Sequence, residues 1–211
     1  LRSPLTRLKM AVSMLDEAAP EQRLAMRREI DVNIAELDTL VEEVLLASRL
    51  DAGAASGRVD EVDLLGLAAE EAARVEALAQ GDALTLRGDE RLIRRALRNL
   101  LENARRYGGG EVELEVRRQG GLAVARVCDR GPGVPEAYRA RIFEPFFRLP
   151  GHAEKAGGVG LGLALVRQIA ERHGGTVRCE PREGGGSCFT LALPLDPVPA
   201  QLPVRPPSAR A

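Results

Sequence analysis

The sequence predicts an α+β protein: an N-terminal helical hairpin that pairs with a second copy as a four-helix bundle, then an α/β sandwich of a mixed sheet with helices on one face. Three observations predict this. Apolar residues recur at spacings of three and four through residues 1–45. Beyond residue 57 short alternating runs are divided by glycines. A long helical pattern from Glu90 to Tyr107 stands among those strands. The 211 residues, 45% hydrophobic and 29% charged, suffice for one medium domain and a smaller element. Thirty basic against 31 acidic residues leave a net charge of -1. No bulk field therefore draws the chain to nucleic acid or to an anionic membrane. No apolar run approaches the ~20 residues of a membrane helix and no signal peptide opens the chain, so a cytosolic location is expected.

The elements come in order along the chain. Leu5, Leu8, Val12 and Leu15 form the stripe of a first amphipathic helix. Pro20 marks a turn and the first position of a second helix, where a missing N–H costs nothing. From Ile30 the apolar positions Ile34, Leu37, Val41 and Val44 keep a 4-3-4-3 seam. A hairpin of two such helices cannot bury both faces alone, which predicts the dimeric bundle over residues 1–56. Asp51 to Gly57 (D-A-G-A-A-S-G) reads as the linker. Next come a strand over 59–62, a helix over 64–78, a strand over 83–86 and the helix over 90–107. Runs 112–116 and 122–128 form a hairpin around Gly120 and Gly121. A helix over 161–172 ends at Gly174 and Gly175, and a last hairpin joins 176–179 to 188–193 around Gly184 to Gly186. This second domain spans 57–195. Five prolines after Asp196 predict a disordered tail over 196–211. The three cysteines, Cys128, Cys179 and Cys188, are odd in number and lie in apolar runs, so they read as reduced core residues.

Four motifs carry the chemistry. In N-L-L-E-N-A-R-R-Y, Asn99 and Asn103 share a helix face, and neutral amide oxygens suit a hard cation that already carries phosphate charge; magnesium fits. Arg106 can reach a phosphate and Tyr107 can lie against a purine. In D-R-G-P-G, Asp129 ends a strand before Gly131 and Gly133. Its carboxylate can accept the exocyclic amine of adenine, or serve only to fix an Asx-turn. R-I-F-E-P-F-F-R carries Phe143, Phe146, Phe147 and Arg148, a hydrophobic anchor that can also pin a nucleotide lid over 141–157. In G-V-G-L-G-L, Gly158 and Gly160 precede, and Leu161, Gly162 and Leu163 begin, a helix whose N-terminal N–H groups suit a phosphate. Neither a Rossmann fingerprint nor a P-loop is present there.

These segments resemble the N, G1, F and G2 boxes of bacterial sensor histidine kinases, and L-R-S-P-L-T-R-L at Leu1 to Leu8 resembles the stretch just after the phosphoacceptor histidine in that family. The resemblance covers about residues 1–195, with envelope-stress and osmolarity sensors the most similar. It implies a dimerisation and phosphotransfer hairpin followed by a Bergerat-type ATP-binding domain, shared with gyrase, Hsp90 and mismatch-repair ATPases. It implies ATP and Mg2+ as ligands, with Asn99 and Asn103 on the metal, Arg106 on phosphate, Tyr107 and Asp129 on adenine, and Gly158 to Leu163 on the phosphate tail. It further implies a homodimer, a response-regulator partner, no nucleic acid, and a place as the cytoplasmic part of an inner-membrane sensor.

Three departures stand out. The family reads H-E-L-R-S-P-L, so its phosphoacceptor would precede Leu1; this chain has only His152 and His173, both expected to face solvent, and as written it cannot autophosphorylate. Ser3 stands where the family has Thr or Asn for regulator dephosphorylation, so phosphatase activity is an expectation. The span between Leu78 and Gly88 is short, predicting a smaller sheet edge. Two other readings compete: a hydrolysing ATPase of the gyrase or Hsp90 kind, which needs a carboxylate where Asn99 stands, and a nucleotide-binding dimerisation module without kinase activity.

Overall fold

The structure, a computed structural model, describes residues 6, 9–10, 12–13, 20–51, 59–150 and 160–196. It divides into two compact units, one of residues 1–56 with 135–168, the other of residues 57–134 with 169–211. In the first unit, residues 6, 9, 10, 12 and 13 are helical and α1 runs Pro20–Asp51, with proline opening the helix as its fixed φ favours. Of the expected seam, Ile34, Val41 and Val44 are exposed in the single chain, while Asn33 and Leu40, seven residues apart, are buried. Two 3₁₀ turns, Glu136–Tyr138 and Arg141–Phe143, lie in the same unit. Helix α4, Gly162–Arg172, begins in this unit and ends in the second.

The second unit is built on a five-stranded mixed sheet. Its strands are β2 (Leu78–Gly81), β4 (Glu113–Gln119), β5 (Leu122–Cys128), β6 (Thr176–Pro181) and β7 (Ser187–Pro194), in the order β2-β4-β5-β7-β6. Only the β2–β4 pair is parallel. β1 (Asp60–Asp63) and β3 (Thr85–Gly88) pair separately and antiparallel. Helix α2, Leu64–Ala73, lies against β2 and β4, and α3, Glu90–Tyr107, against α2 and β5. Both helices start at an aspartate. Asp63 Oδ1 accepts from Gly66 N at 3.0 Å, and Asp89 Oδ1 from Arg91 N and Leu92 N at 3.0 and 3.3 Å, satisfying otherwise unpaired helical N–H groups. Leu92, Ile93, Ala96, Leu97, Leu100, Leu101 and Ala104 then form one buried stripe of α3.

Three expectations need correction. The helix expected to reach Leu78 stops at Ala73, and residues 78–88 hold two strands, β2 and β3. Glu76 takes a left-handed φ of 58°, which turns the chain without a glycine to announce it. The expectation of three reduced cysteines fails for two of them: Cys128 and Cys188 are disulfide-bonded, their Cα atoms 4.1 Å apart. Antiparallel register sets them directly opposite each other on β5 and β7, a pairing that sequence spacing does not reveal. Cys179 remains a buried thiol in β6. Nor does His173 face solvent. It is half-buried, its Nδ1 is 2.7 Å from Ile169 O, and its Nε2 accepts Asp89 N–H at 3.1 Å, so the end of α4 anchors the start of α3. That pair of contacts assigns the proton to Nδ1. His152 lies outside the described residues.

Between α2 and α3 a buried carboxylate organises three arginines. Glu71 has a side chain wholly shielded from solvent; Arg98 grips it with Nε and Nη2 at 2.8 and 3.1 Å, Arg94 Nη1 lies at 3.2 Å and Arg74 Nε at 3.6 Å. Burial pushes the carboxyl up, but the hydrogen bonds from Arg98 and Arg94 and the charges of Arg98 and Arg74 outweigh it and hold Glu71 below the ordinary carboxylate range. A folded-state value below the unfolded one stabilises the fold above about pH 4.3, the ordinary Glu value, and that contribution disappears as pH falls through the folded value. Glu71→Gln should therefore cost roughly 2–3 kcal/mol at pH 7 in urea unfolding, since it removes the buried charge that Arg98 grips with two hydrogen bonds, while Arg94 keeps Glu70 and Glu90. Its stability curve should converge with the parent's in strong acid; parallel curves from pH 7 to pH 3 would refute the linkage.

Candidate nucleotide-binding site

The site grows from the C-terminal end of β5. Cys128 is the last ladder residue of β5, and the chain then makes a turn at Asp129, 5% exposed. Asp129 Oδ1 accepts Gly131 N–H at 2.9 Å and Ser187 N–H at 3.2 Å, while Asp129 N–H donates to Ser187 O at 2.9 Å. The first of these bonds is the Asx-turn, the alternative reading of Asp129. It is present, and it fixes the carboxylate, which leaves a recognition role open. Ser187 adds a further bond: its Oγ accepts Val134 N–H at 3.0 Å, closing the loop over Gly131 and Gly133. Arg182 approaches Asp129 O at 3.4 Å with Nη1 while its Nη2 pairs with Glu113.

Glycines permit this density. A Cβ on Gly131 would collide with Tyr107 O, and one on Gly186 with Asp129 O, so neither position accepts a side chain. The first of these contacts brings the C-terminus of α3 against the Asp129 turn, and Gly108 lies against Asp129 as well. Asn99, Asn103 and Tyr107 fall four residues apart along α3, on one face leading to that turn. Asn99 is 7% exposed, and Asn103 and Tyr107 are half-buried. Arg106 is placed differently from its expected partners. It lines a cleft of about 490 Å³ with Glu71, Arg74, Arg98, Leu101 and Arg105, beside the asparagine face.

The remaining candidates belong to the first unit. Phe143 is buried, while Phe146, at φ 64°, is exposed. Arg141 lies over the Phe147 ring at 4.6 Å, Tyr138 packs on that ring at 5.8 Å, and Arg148 is half-buried. Gly160, at φ 80°, accepts Phe146 N–H on its carbonyl at 3.0 Å; a Cβ there would stand 2.7 Å from Phe147 O. Leu161 is buried, and Gly162 and Leu163 open α4. Gly158 and Ser3 lie outside the described residues. Sequence reasoning missed Ser187 and Arg182. The G-G-G-S string before the last strand was the available signal for Ser187, whereas Arg182 carried none.

Two neutral amides cannot balance a dication's charge unaided, so the α3 donor set suits a magnesium ion that arrives on phosphate oxygens. Among the described residues no cluster of three or more His, Cys, Asp or Glu could hold a metal ion.

A family model described as "Histidine kinase-, DNA gyrase B-, and HSP90-like ATPase" matches residues 88–197, from the end of β3 past the end of β7. The chain belongs to this ATPase family. Its relatives in the family include the sensor protein RstB of Escherichia coli (strain K12), 38% identical over 207 residues, covering 92% of this chain and 46% of RstB. Among solved structures, the mycobacterial sensor histidine kinase MprB is 28% identical at a TM-score of 0.59, covering 67% of this chain and all of that one. Full-length ShkA in complex with AMPPNP is 30% identical at a TM-score of 0.68, covering 95% of this chain and 45% of that one. The chain spans about half the length of the curated relatives it matches, or less. Within the ATPase family the mixed sheet and its helices agree with the ATP-binding fold, and no helix among the described residues is long and apolar enough to cross a membrane.

The packing around Asp129 makes a sharp prediction. Gly186→Ala would drive a methyl into Asp129 O at a backbone φ of 102°, and should destabilise the fold by roughly 2–4 kcal/mol in urea denaturation. A loss below about 0.5 kcal/mol, the usual size at an unconstrained surface site, would show that the turn relaxes freely.

Proposed function

We propose that the chain is the core of a two-component sensor histidine kinase, using ATP to phosphorylate a histidine and passing the phosphoryl group to an aspartate of a response regulator. Residues 1–56 would form the dimerisation and phosphotransfer hairpin, 57–195 the ATP-binding domain and 196–211 a tail. The exposed positions Ile34, Val41 and Val44 support a homodimer, because a second α1 would cover them. The same reading places the chain on the cytoplasmic side of an inner membrane, and the sensor names of the relatives support the sensor part of it.

The observation that carries the reading is Asp129. Both of its side-chain bonds to backbone N–H end on Oδ1, so Oδ2 is the oxygen that an adenine amine would meet, with Tyr107 against the base. Gly131 and Gly133 shape that turn. Asn99 and Asn103 would hold Mg2+, which spreads the charge that develops on the transferred phosphoryl group. Arg106 and Arg148 would pair with phosphate oxygens, Gly158 to Leu163 would offer backbone N–H groups to the phosphate tail, and Phe143 would anchor the lid. Ser3 would orient water for regulator dephosphorylation. Asn99 also weighs against the hydrolytic alternative, since an amide is a poor base for activating water.

Asp129→Asn is the decisive variant. The amide oxygen can keep both backbone bonds, so the fold and the dimer should survive, but the amide nitrogen would oppose donor to donor against adenine. Affinity for a magnesium-bound, non-hydrolysable ATP analogue should fall at least about a hundredfold by calorimetry; unchanged affinity would refute the adenine assignment. Extending the chain by His and Glu before Leu1 should give ATP-dependent phosphorylation that is acid-labile and alkali-stable. Steady release of phosphate with no phosphohistidine would favour the hydrolytic reading instead.

A further inference from the structure

We infer that Cys128 and Cys188 form a reversible thiol–disulfide site whose reduction loosens Asp129 and weakens nucleotide binding. The inference rests on the nucleotide reading above. It begins with the register. Cys128 and Cys188 are paired across β5 and β7, and the next residue beyond that pair on either side is Asp129 or Ser187. Those two are bonded to each other twice, Asp129 N to Ser187 O at 2.9 Å and Ser187 N to Asp129 Oδ1 at 3.2 Å. The disulfide is therefore the covalent tie immediately beside the hydrogen bonds that aim the carboxylate. When it is cut, the strand ends beyond the ladder are held there by hydrogen bonds alone, those two together with Val134 N–H on Ser187 Oγ and Arg182 on Asp129 O.

Burial couples the bond to the ligand. Cys188 is 0% exposed and Cys128 7%, so an attacking thiolate reaches either sulfur only after local opening around the ends of β5 and β7. Opening there also loosens the Asp129–Ser187 bonds. A nucleotide held on Asp129 must then oppose reduction, and reduction must oppose the nucleotide, by the same free energy. The reductant is a dithiol. One of its thiolates attacks a cysteine sulfur to give a mixed disulfide and releases the other cysteine as a thiol after protonation. Its second thiol then resolves the mixed disulfide. Two electrons and two protons pass to the protein, and the dithiol leaves as a cyclic disulfide. In a compartment that reduces thiols, a disulfide in such a place is more often a sensor than a staple.

The test uses the 211-residue chain prepared without reductant and again after treatment with dithiothreitol, which is then removed under anaerobic conditions. Thiol titration after denaturation should find one thiol, Cys179, in the first preparation and three in the second. Affinity for a magnesium-bound ATP analogue should be about tenfold lower in the reduced form, as for one weakened hydrogen bond to a charged group. Saturating analogue should slow the reduction by about the same factor. The Cys128→Ala/Cys188→Ala double variant, checked for folding by circular dichroism, should bind like the reduced form in both preparations, and Cys179→Ala should keep the full response. Three thiols before treatment, or equal affinity in the two forms, would overturn the inference while leaving the nucleotide reading intact. Absence of binding in both forms would overturn the nucleotide reading and this inference together.

Discussion

One oxygen atom, Asp129 Oδ1, accepts N–H groups from two distant parts of the chain, and much of the second unit serves to hold those groups in place. Gly131 comes two residues later in the same turn, whereas Ser187 comes from the start of β7, 58 residues on. For both to reach the same oxygen, β5 and β7 must be adjacent and in register, and a glycine must stand wherever backbone meets backbone. The sheet order supplies the first condition. Gly131 and Gly186 supply the second, and the chain tolerates three successive glycines before Ser187 to do so. The carboxylate is thereby fixed before any ligand arrives, so binding need not order it.

Helix α3 faces two environments. Asn99, Asn103 and Tyr107 lead to the Asp129 turn, while Arg94 and Arg98 turn toward α2 and hold Glu71. A helix with amides on one side and an ion-pair network on another cannot slide or rotate without breaking one of them. Its start is fixed as well, because Asp89 caps the first turn and its own N–H is taken by His173. The polar face is thus held in register by contacts that never touch a ligand.

Local signals in the sequence were reliable. The glycine pairs at the hairpin turns and the period of α3 lie within a few residues of the structure they specify, and the observed elements match them closely. Asn99, Asn103 and Asp129 were legible for the same reason, since helix period and strand end place them without tertiary knowledge. The features that escaped detection were decided across the fold. The sequence of β2 has no alternation, and its parallel partner β4 begins some 30 residues later, with α3 between them. The disulfide depends on β5 and β7 being neighbours, Ser187 and Arg182 act at a turn far behind them in sequence, and His173 meets a helix start 84 residues upstream. Arg106 likewise lines a cleft with Glu71, Arg74 and Arg98, a neighbourhood set by how α2 packs on α3 and not by its own motif.

The distance between Asp129 and Ser187 along the chain has a consequence for how the protein is made. Translation delivers α3 and β5 before β6 and β7, with Asp129 already exposed at a strand end. Its second backbone partner, the strand beside it and the imidazole that anchors α3 all come from residues 173–194, which leave the ribosome later. A nascent chain therefore carries the turn without its lock, and the carboxylate acquires its aim only when β7 has been made.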